Sequence, residues 1–185
     1  MTKAQLTVLA GPTAVGKGTV VAALTKHYPT LKVSVSATTR DPRPGELNGV
    51  HYYFVSPQEF DAMIERGDML EWALVHGKNK YGTPRGPVDE ALNAGHPVLL
   101  EIDLAGARQV RANRPDAQFI FLAPPSWEEL ERRLIDRGTE GPEEQARRLA
   151  TARVELQAAS EFDHVVINDD VERAVNELAR LIGLE

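Results

Sequence analysis

Short apolar runs alternate with longer stretches of helical character along most of the chain. The runs are residues 6–10, 31–36, 98–102, 119–122 and 165–167, and four of the five are almost entirely Val, Ile, Leu and Phe. Strands buried on both faces have this composition, and their alternation with helices is typical of a parallel sheet. The pattern therefore predicts an α/β fold with a parallel central sheet.

The boundaries of several helices can also be predicted. Residues 56–59 (Ser-Pro-Gln-Glu) and 126–129 (Ser-Trp-Glu-Glu) are capping boxes, and the first has proline at the first helical position. Gly67, Gly95 and Gly138 stand where helices are expected to end.

Two regions interrupt the alternation. Residues 38–83 are rich in Pro, Gly, Arg and Tyr and contain half-alternating stretches at 52–55 and 70–75, which predict a small, mostly β insert. Residues 132–148 place five arginines around a turn rich in Gly, Pro and Glu, which predicts a mobile helical hairpin.

Composition limits the classes of function. The 185 residues, 42% of them hydrophobic, are enough for one globular domain. With 21 Lys and Arg against 27 Asp and Glu, the net charge of −6 argues against nucleic-acid binding and favours a small anionic partner. The chain has no Cys, so any metal is expected to bind through oxygen. No run reaches the roughly 18 apolar residues of a membrane span, and we expect a cytoplasmic protein without membrane contact.

A glycine-rich loop follows the first apolar run directly, and a helix-like stretch follows the loop. Its glycines let successive N–H groups face inward, and the new helix directs the positive end of its dipole to the same place. Such a loop binds phosphate, and its lysine reaches the β- and γ-phosphates. The alternative is an ordinary turn with a solvated lysine. The loop residues are Gly11, Pro12, Thr13, Ala14, Val15, Gly16, Lys17, Gly18 and Thr19.

One loop position departs from the usual pattern. Gly18 stands where a Ser or Thr hydroxyl normally binds Mg²⁺, and Thr19 is rotated by about 100° along the helix, so it cannot substitute. The Gly-Lys-Gly-Thr ending resembles the loop of adenylate kinases. That resemblance implies Mg²⁺, bound as Mg-ATP, that is held mainly by phosphates and water.

The run at 98–102 is followed by Asp103, at the end of a strand where ligands bind in doubly wound sheets. We expect Asp103 to face the loop and to be a possible outer-shell partner of the metal, although it could be only a polar strand terminus. Asp103-x-x-Gly106 also matches a GTPase motif. However, the guanine-reading Asn-Lys-x-Asp of GTPases is absent, because residues 79–82 read Asn-Lys-Tyr-Gly.

The insert resembles the nucleoside-monophosphate site of guanylate kinases. The resemblance rests on residues 36–46, 49–55, 71–72 and 81–83. It extends to the glycine-rich loop and to residues 103–106, 123–126, 137–140 and 166–170, and so covers nearly the whole chain. It implies a P-loop core at about residues 1–33, 84–125 and 157–185, a GMP-binding insert at about 34–83 and a lid at about 126–156.

The resemblance implies a GMP site built from the insert. Arg40, Arg43, Tyr52 and Tyr81 would hold the GMP phosphate, whereas Ser36, Glu71, Thr83 and Asp103 would hold the base or atoms near it. Arginine forks and tyrosine hydroxyls suit phosphate oxygens. A carboxylate at position 71 can accept from guanine N1–H and the 2-amino group, neither of which adenine offers there. The alternatives are solvated surface arginines and a Glu71 that pairs with a nearby arginine.

The arginine-rich hairpin resembles the lid that folds over the ATP phosphates. The resemblance assigns Arg133, Arg137 and Arg148 to this lid and places Asn168 near the adenine. Phosphoryl transfer benefits from positioned cations, because negative charge spreads over the phosphoryl oxygens in the transition state. The catalytic candidates are Lys17, Arg40, Arg137 and Arg148. The alternative is a charged helix surface on which the arginines pair with Glu140, Glu143 and Glu144.

The sequence thus predicts transfer of the γ-phosphoryl group of ATP to GMP, and to dGMP, in purine nucleotide metabolism. Three alternatives are open: another nucleoside monophosphate kinase, a non-catalytic guanylate kinase-like module and a GTP-binding switch. The Asp-Gly-Phe-Pro-Arg segment of adenylate kinases is absent. Retention of Lys17, Arg137 and Arg148 argues against a non-catalytic module. The sequence does not indicate an oligomeric state.

Overall fold

The computed structural model describes residues 3–136, 138 and 140–185, and these residues form two sheets and seven α-helices. The strands are β1 (Leu6–Ala10), β2 (Lys32–Val33), β3 (Ala37–Thr38), β4 (Tyr53–Phe54), β5 (Met69–Val75), β6 (Asn79–Pro84), β7 (Val98–Glu101), β8 (Gln118–Ala123) and β9 (His164–Ile167). The helices are α1 (Lys17–His27), α2 (Pro57–Glu65), α3 (Arg85–Asn93), α4 (Leu104–Asn113), α5 (Trp127–Asp136), α6 (Pro142–Gln157) and α7 (Val171–Ile182). Within the described ranges, none of the helices is long and apolar enough to cross a membrane.

The central sheet has the strand order β2-β7-β1-β8-β9, and every neighbouring pair is parallel. The predicted parallel α/β fold is therefore confirmed, with one strand from each predicted apolar run. The run at 31–36 forms only the two residues of β2, so that predicted strand is too long. This strand lies at the sheet edge, and the chain leaves the sheet after Ser34, whose N–H donates to the Leu99 carbonyl at 3.0 Å.

The core lies on both faces of this sheet, as alternation along a strand requires. In β1, Leu9 belongs to one apolar cluster, whereas Leu6 and Val8 belong to the other. The first cluster includes residues of α1 and α7, and the second includes residues of α3 and α4. Because both layers hold the central strand, the loop that follows β1 starts from a fixed position.

The second sheet lies in the predicted insert and has the order β4-β3-β6-β5. β3 and β4 run parallel, and the pairs β3–β6 and β5–β6 are antiparallel. The predicted strands at 52–55 and 70–75 correspond to β4 and β5, whereas β3 and β6 were not predicted. The domain boundaries at residues 34 and 83 stay a prediction.

Both predicted capping boxes begin a helix. The Ser56 hydroxyl accepts from the Glu59 N–H at 3.0 Å before α2, and the Ser126 hydroxyl accepts from the Glu129 N–H at 3.1 Å before α5. Helices α5 and α6 form the predicted helical hairpin. Its apolar side contains Leu130 and Leu134, and it packs against Ala14 of the glycine-rich loop.

Candidate active site

The glycine-rich loop connects β1 to α1 at the carboxyl end of the central sheet. Gly16 has a φ of 95°, in the left-handed region, and it stands immediately before the helix. A Cβ at this position would lie 2.9 Å from the Asn168 side-chain nitrogen. The turn therefore requires glycine for both its backbone conformation and the space beside it.

Two side chains from distant elements hold the loop by the same carbonyl. The Val15 carbonyl accepts from Asn168 Nδ2 at 2.8 Å and from Arg133 Nη1 at 3.1 Å. Asn168 is only 4% exposed, so its amide is fixed in the protein interior. The structure therefore brings both predicted ATP-site residues to the loop, where they support its backbone. Direct contact of either residue with ATP stays a prediction.

Lys17, the first residue of α1, extends along the loop and donates to the Gly11 carbonyl at 2.9 Å. Burial lowers the pKa of its ammonium, and the carboxylates of Glu155, Glu101 and Asp103 oppose that shift. Residues 12–19 and Glu101 line a cleft of about 360 Å³ at this point. The cleft therefore combines the N-terminus of α1 with a partly desolvated cation, an arrangement that suits phosphate.

The loop offers few protein ligands for a metal. A Cβ at Gly18 would meet open space, so the position lacks a hydroxyl but has room for one. In the described part of the chain, no group of three or more His, Asp or Glu side chains could hold a metal ion. The carboxylate of Glu101 lines the cleft, and the charges of Glu101 and Asp103 both act on Lys17, which suits an ion that reaches the protein mainly through phosphates and water.

In the insert, an arginine and two tyrosines form a second cluster. Arg40 lies over the Tyr52 ring, 5.2 Å from its centroid, and the Tyr52 and Tyr81 rings meet edge-on at 5.9 Å. Arg40 also donates to both carboxylate oxygens of Glu46, at 2.8 and 3.0 Å. This pairing raises the pKa of Arg40 and, with the Arg43 backbone N–H, lowers the pKa of Glu46 to about 2.

Two other predicted GMP-site residues lie in the same insert: Arg43, expected at the phosphate, and Ser36, expected near the base. Arg43 is exposed, and its backbone N–H donates to Glu46 at 2.7 Å, so its side chain is turned to solvent. Ser36 is half-buried, and its carbonyl accepts from the Tyr53 N–H at 2.9 Å. Glu46 is thus a residue that the sequence analysis missed. Its position three residues after Arg43, in the same loop, was the available signal.

Glu71 lies on β5 opposite Thr83 of β6. The fully buried Thr83 hydroxyl donates to Glu71 Oε1 at 2.8 Å. Burial raises the pKa of Glu71, and the nearby Asp103 charge adds to the increase, whereas the Thr83 hydrogen bond opposes it. Among the described residues no arginine pairs with Glu71, so the alternative of an ion-paired glutamate is not what the structure shows.

Asp103 and Gly106 bring the start of α4 against this carboxylate. Asp103 caps the helix by accepting from the Gly106 N–H at 2.8 Å. A Cβ at position 106 would lie 3.1 Å from Glu71 Oε2 and 3.2 Å from Asp103 Oδ1. Because Gly106 has no side chain, the Glu71 and Asp103 carboxylates can both lie close to the N-terminus of α4. The sequence analysis quoted this glycine only as part of a motif.

On the lid, Arg148 pairs with Glu140 and lies 3.8 Å from Glu144, and Arg147 lies 3.7 Å from Glu144. These are contacts that the charged-surface alternative predicts, so a catalytic role for Arg148 stays a prediction. The prediction for Arg137 lies outside the described residues.

Glu155 of α6 is a further residue that the sequence analysis missed. Its Oε1 is buried and has no hydrogen-bond partner in the described part of the structure. Burial raises its pKa, and the Lys17 ammonium opposes that shift. Its local sequence, Arg153-Val-Glu-Leu, gave no signal that this carboxylate would lie near Lys17.

Comparisons with known proteins agree with this architecture. A sequence model of the family described as guanylate kinase matches residues 3–185. A guanylate kinase of Leifsonia xyli subsp. xyli is 61% identical over 177 residues, which cover 96% of this chain and 70% of that protein. A guanylate kinase of Streptomyces coelicolor is 59% identical over 180 residues, which cover 97% of this chain and 91% of that protein.

A solved structure gives the same result. The crystal structure of guanylate kinase from Anaplasma phagocytophilum matches with a TM-score of 0.74 at 31% sequence identity, over 99% of this chain and 86% of that one. The family model matches nearly the whole length, and the Leifsonia and Streptomyces relatives are identical to this chain at more than half of the aligned residues. The chain therefore belongs to the guanylate kinase family.

Proposed function

We propose that the chain transfers the γ-phosphoryl group of ATP to GMP, giving ADP and GDP, and that it also accepts dGMP. Membership of the guanylate kinase family supports this activity. The observation that carries it is the buried Glu71 carboxylate, which accepts from Thr83 and lies beside Gly106 at the start of α4, in a chain that also carries a phosphate-binding loop.

Glu71 reads the guanine in this proposal. In its ionised form the carboxylate accepts from guanine N1–H and from the 2-amino group together, whereas AMP presents no donor at the position of N1–H. Its protein partner, Thr83, occupies only one of the two carboxylate oxygens. The second oxygen faces the start of α4, near Gly106 and Asp103, where the rest of the base would lie.

The GMP phosphate binds at the cluster of Arg40, Tyr52 and Tyr81, and Arg43 completes the site. Ser36 lies near the base in this proposal. Glu46 fixes the orientation of the Arg40 guanidinium, so that its remaining donors have a defined direction. The tyrosine hydroxyls add neutral donors without further charge. This arrangement holds the acceptor phosphate at a fixed distance from the base.

The chemical step needs no covalent intermediate with the protein. An oxygen of the GMP phosphate forms a bond to the γ-phosphorus, while the bond from that phosphorus to the β–γ bridging oxygen breaks and ADP leaves. Lys17 and the loop N–H groups stabilise the charge on the transferred group. Closure of the lid would bring Arg133, Arg137 and Arg148 to the same oxygens and exclude water, which prevents hydrolysis of ATP.

Kinases of this family use a divalent metal with ATP, and we propose magnesium here. When bound, Mg²⁺ neutralises charge on the β- and γ-phosphate oxygens. Because Gly18 offers no hydroxyl, Glu101 and Asp103 would hold the hydrated ion through water.

A coupled ADP-release assay with ATP and each of GMP, dGMP, AMP, CMP and UMP tests the proposal. We expect rapid ADP release with GMP and dGMP and only background rates with the other three. Equal rates with AMP would assign the chain to another mononucleotide kinase activity. GMP binding without turnover, measured by calorimetry, would identify a non-catalytic module.

A further inference from the structure

Helix α4, which packs on the central sheet, covers the free edge of β5, the strand that carries Glu71. β5 is the last strand of the second sheet, and β6 pairs with only one of its sides. An edge strand presents a row of unpaired N–H and C=O groups on its other side. These groups must find partners or remain exposed to water.

Two side chains of α4 supply those partners. The Gln109 amide accepts from the Trp72 N–H at 3.0 Å and donates to the Trp72 carbonyl at 2.9 Å. Asn113 Nδ2 donates to the Leu70 carbonyl at 2.9 Å. The Gln109 side chain thus reproduces both hydrogen bonds that a neighbouring strand would make with Trp72.

These contacts lie on either side of Glu71. Leu70 and Trp72 direct their main-chain groups toward α4, whereas Glu71 lies between them, opposite Thr83. Side chains three, four and seven positions apart lie on one face of a helix. Gly106, Gln109 and Asn113 have this spacing, so one face of α4 both leaves room for the Glu71 carboxylate and holds the strand around it.

We propose that Gln109 is a positioning residue for guanine recognition, which fixes β5 so that the Glu71 carboxylate meets the base in the correct register. This inference rests on the proposed function. Hydrogen bonds weaken steeply with distance and angle, so a small shift of β5 would weaken both bonds from guanine to Glu71. Gln109 acts only through the strand and is not expected to touch GMP.

A purely structural role makes a different prediction. If Gln109 only attached the insert to the core, its loss would lower stability and leave the choice between purines unchanged. IMP separates the two possibilities, because inosine lacks the 2-amino group of guanine and so makes one hydrogen bond fewer to Glu71. A displacement of Glu71 would therefore lower kcat/KM more for GMP than for IMP.

The test uses Gln109→Met, which preserves side-chain length and helix propensity but removes both polar atoms. Arg108→Met is the matched control, because Arg108 lies on the same helix, is exposed and pairs with Glu161 instead of β5. We expect KM for GMP to rise and the GMP/IMP ratio of kcat/KM to fall by about tenfold for Gln109→Met, the effect of a weakened bond to a charged group. For both variants, KM for ATP should change by less than about twofold, and so should every parameter of the control.

A second variant and a thermodynamic cycle keep the test decisive if Gln109→Met is unstable. Asn113→Ala improves helix propensity and removes one hydrogen bond to β5, so the same changes should appear at smaller size. In a Glu71→Gln background, Gln109→Met should no longer lower the GMP/IMP ratio of kcat/KM. Gln109 acts through the contact between Glu71 and guanine, so once that contact is lost the effects of the two substitutions do not add.

Three results would overturn the inference. They are an unchanged GMP/IMP ratio in Gln109→Met, a full additional loss in the Glu71→Gln background, and equal effects of Gln109→Met and its Arg108→Met control. Each is judged against a wild-type enzyme that phosphorylates GMP in the same assay. A wild type without this activity would instead refute the proposed function.

Discussion

Lys17 donates to the Gly11 carbonyl at 2.9 Å, so the ammonium that should meet the phosphates is held against the backbone of its own loop. The same group is partly desolvated, which lowers its pKa, and three carboxylates oppose that shift. These three carboxylates therefore stabilise the charged form of Lys17 before any nucleotide binds. A bound phosphate would replace the carbonyl as the acceptor.

Replacement of Lys17 by alanine should therefore reduce turnover while leaving the fold intact. An ammonium that meets developing phosphoryl charge in a dry site is worth roughly 3–5 kcal/mol to the transition state. Steady-state kinetics with ATP and GMP, together with circular dichroism to check the fold, measure this effect. A variant that keeps more than about a tenth of the wild-type kcat, a loss of only about 1.4 kcal/mol, would contradict the role given to Lys17.

Gly18 provides a second prediction, because it stands where the usual phosphate-binding loop pattern has a metal-binding Ser or Thr hydroxyl. The open space around its missing Cβ means that Gly18→Ser should fold without a clash. We expect the wild type to require Mg²⁺, and the serine variant to change the apparent Mg²⁺ affinity more than it changes kcat. Titration of activity with Mg²⁺ at fixed ATP measures both. Wild-type activity that survives removal of Mg²⁺ by a chelator would refute this interpretation.

The lid arginines are predicted to act only on closure. Removal of Arg148, or of Arg137, should depress kcat far more than it weakens GMP binding measured without ATP. Arg147→Ala is a matched control on the same helix, because Arg147 is more exposed and lies 3.7 Å from Glu144, one of the acidic neighbours of Arg148. Calorimetry with GMP alone and steady-state kinetics separate binding from turnover. A comparable loss of GMP affinity in Arg148→Ala would place this residue in the GMP site.

The central sheet could be predicted because its three inner strands, β7, β1 and β8, are almost entirely buried and carry a nearly unbroken apolar sequence. β3 and β6 could not, since Ala37–Thr38 is too short for a pattern and Asn79–Pro84 contains polar residues, glycine and proline. The loop chemistry was similarly local, because glycines, lysine and the following helix are adjacent in sequence. Local signals of this kind can be recognised in the sequence without any knowledge of the tertiary structure.

Contacts between distant parts of the chain gave no such signal. Asn168 supports the Val15 carbonyl from 153 residues away, and Gln109 pairs with Trp72 from 37 residues away. Neither side chain stands out in its own segment, because both lie in ordinary polar positions. Their roles depend on which elements the sheet order brings together. The resemblance to a family named Asn168 only as a residue expected near the adenine, and it did not name Gln109.

The last prediction concerns Glu71, for which activity and stability should respond in opposite ways. Glu71→Gln preserves size and an acceptor for the Thr83 hydroxyl, but it turns one acceptor toward guanine into a donor. We expect kcat/KM for GMP to fall by at least about 10², a loss near 2.7 kcal/mol, while ATP binding stays the same.

Burial raises the pKa of Glu71 above its usual value of 4.5, so the folded protein favours the protonated form more than the unfolded chain does. The stabilisation from this proton is complete below the unfolded-state pKa and is lost as pH rises through the higher folded-state pKa. At neutral pH the wild type therefore carries the cost of a buried charge that Glu71→Gln lacks. The variant should melt at or above the wild-type temperature, and this difference should shrink as pH falls toward 4.5.

The pH dependence of activity should run the other way, because guanine needs the ionised carboxylate. Wild-type kcat/KM for GMP should fall as pH decreases through the raised pKa of Glu71, whereas Glu71→Gln should lack that step. Differential scanning calorimetry and kinetics on the two proteins at matched pH provide both curves. An enzyme with Glu71→Gln that melts well below wild type yet phosphorylates GMP normally would make Glu71 a structural residue, and another group would then have to recognise the base.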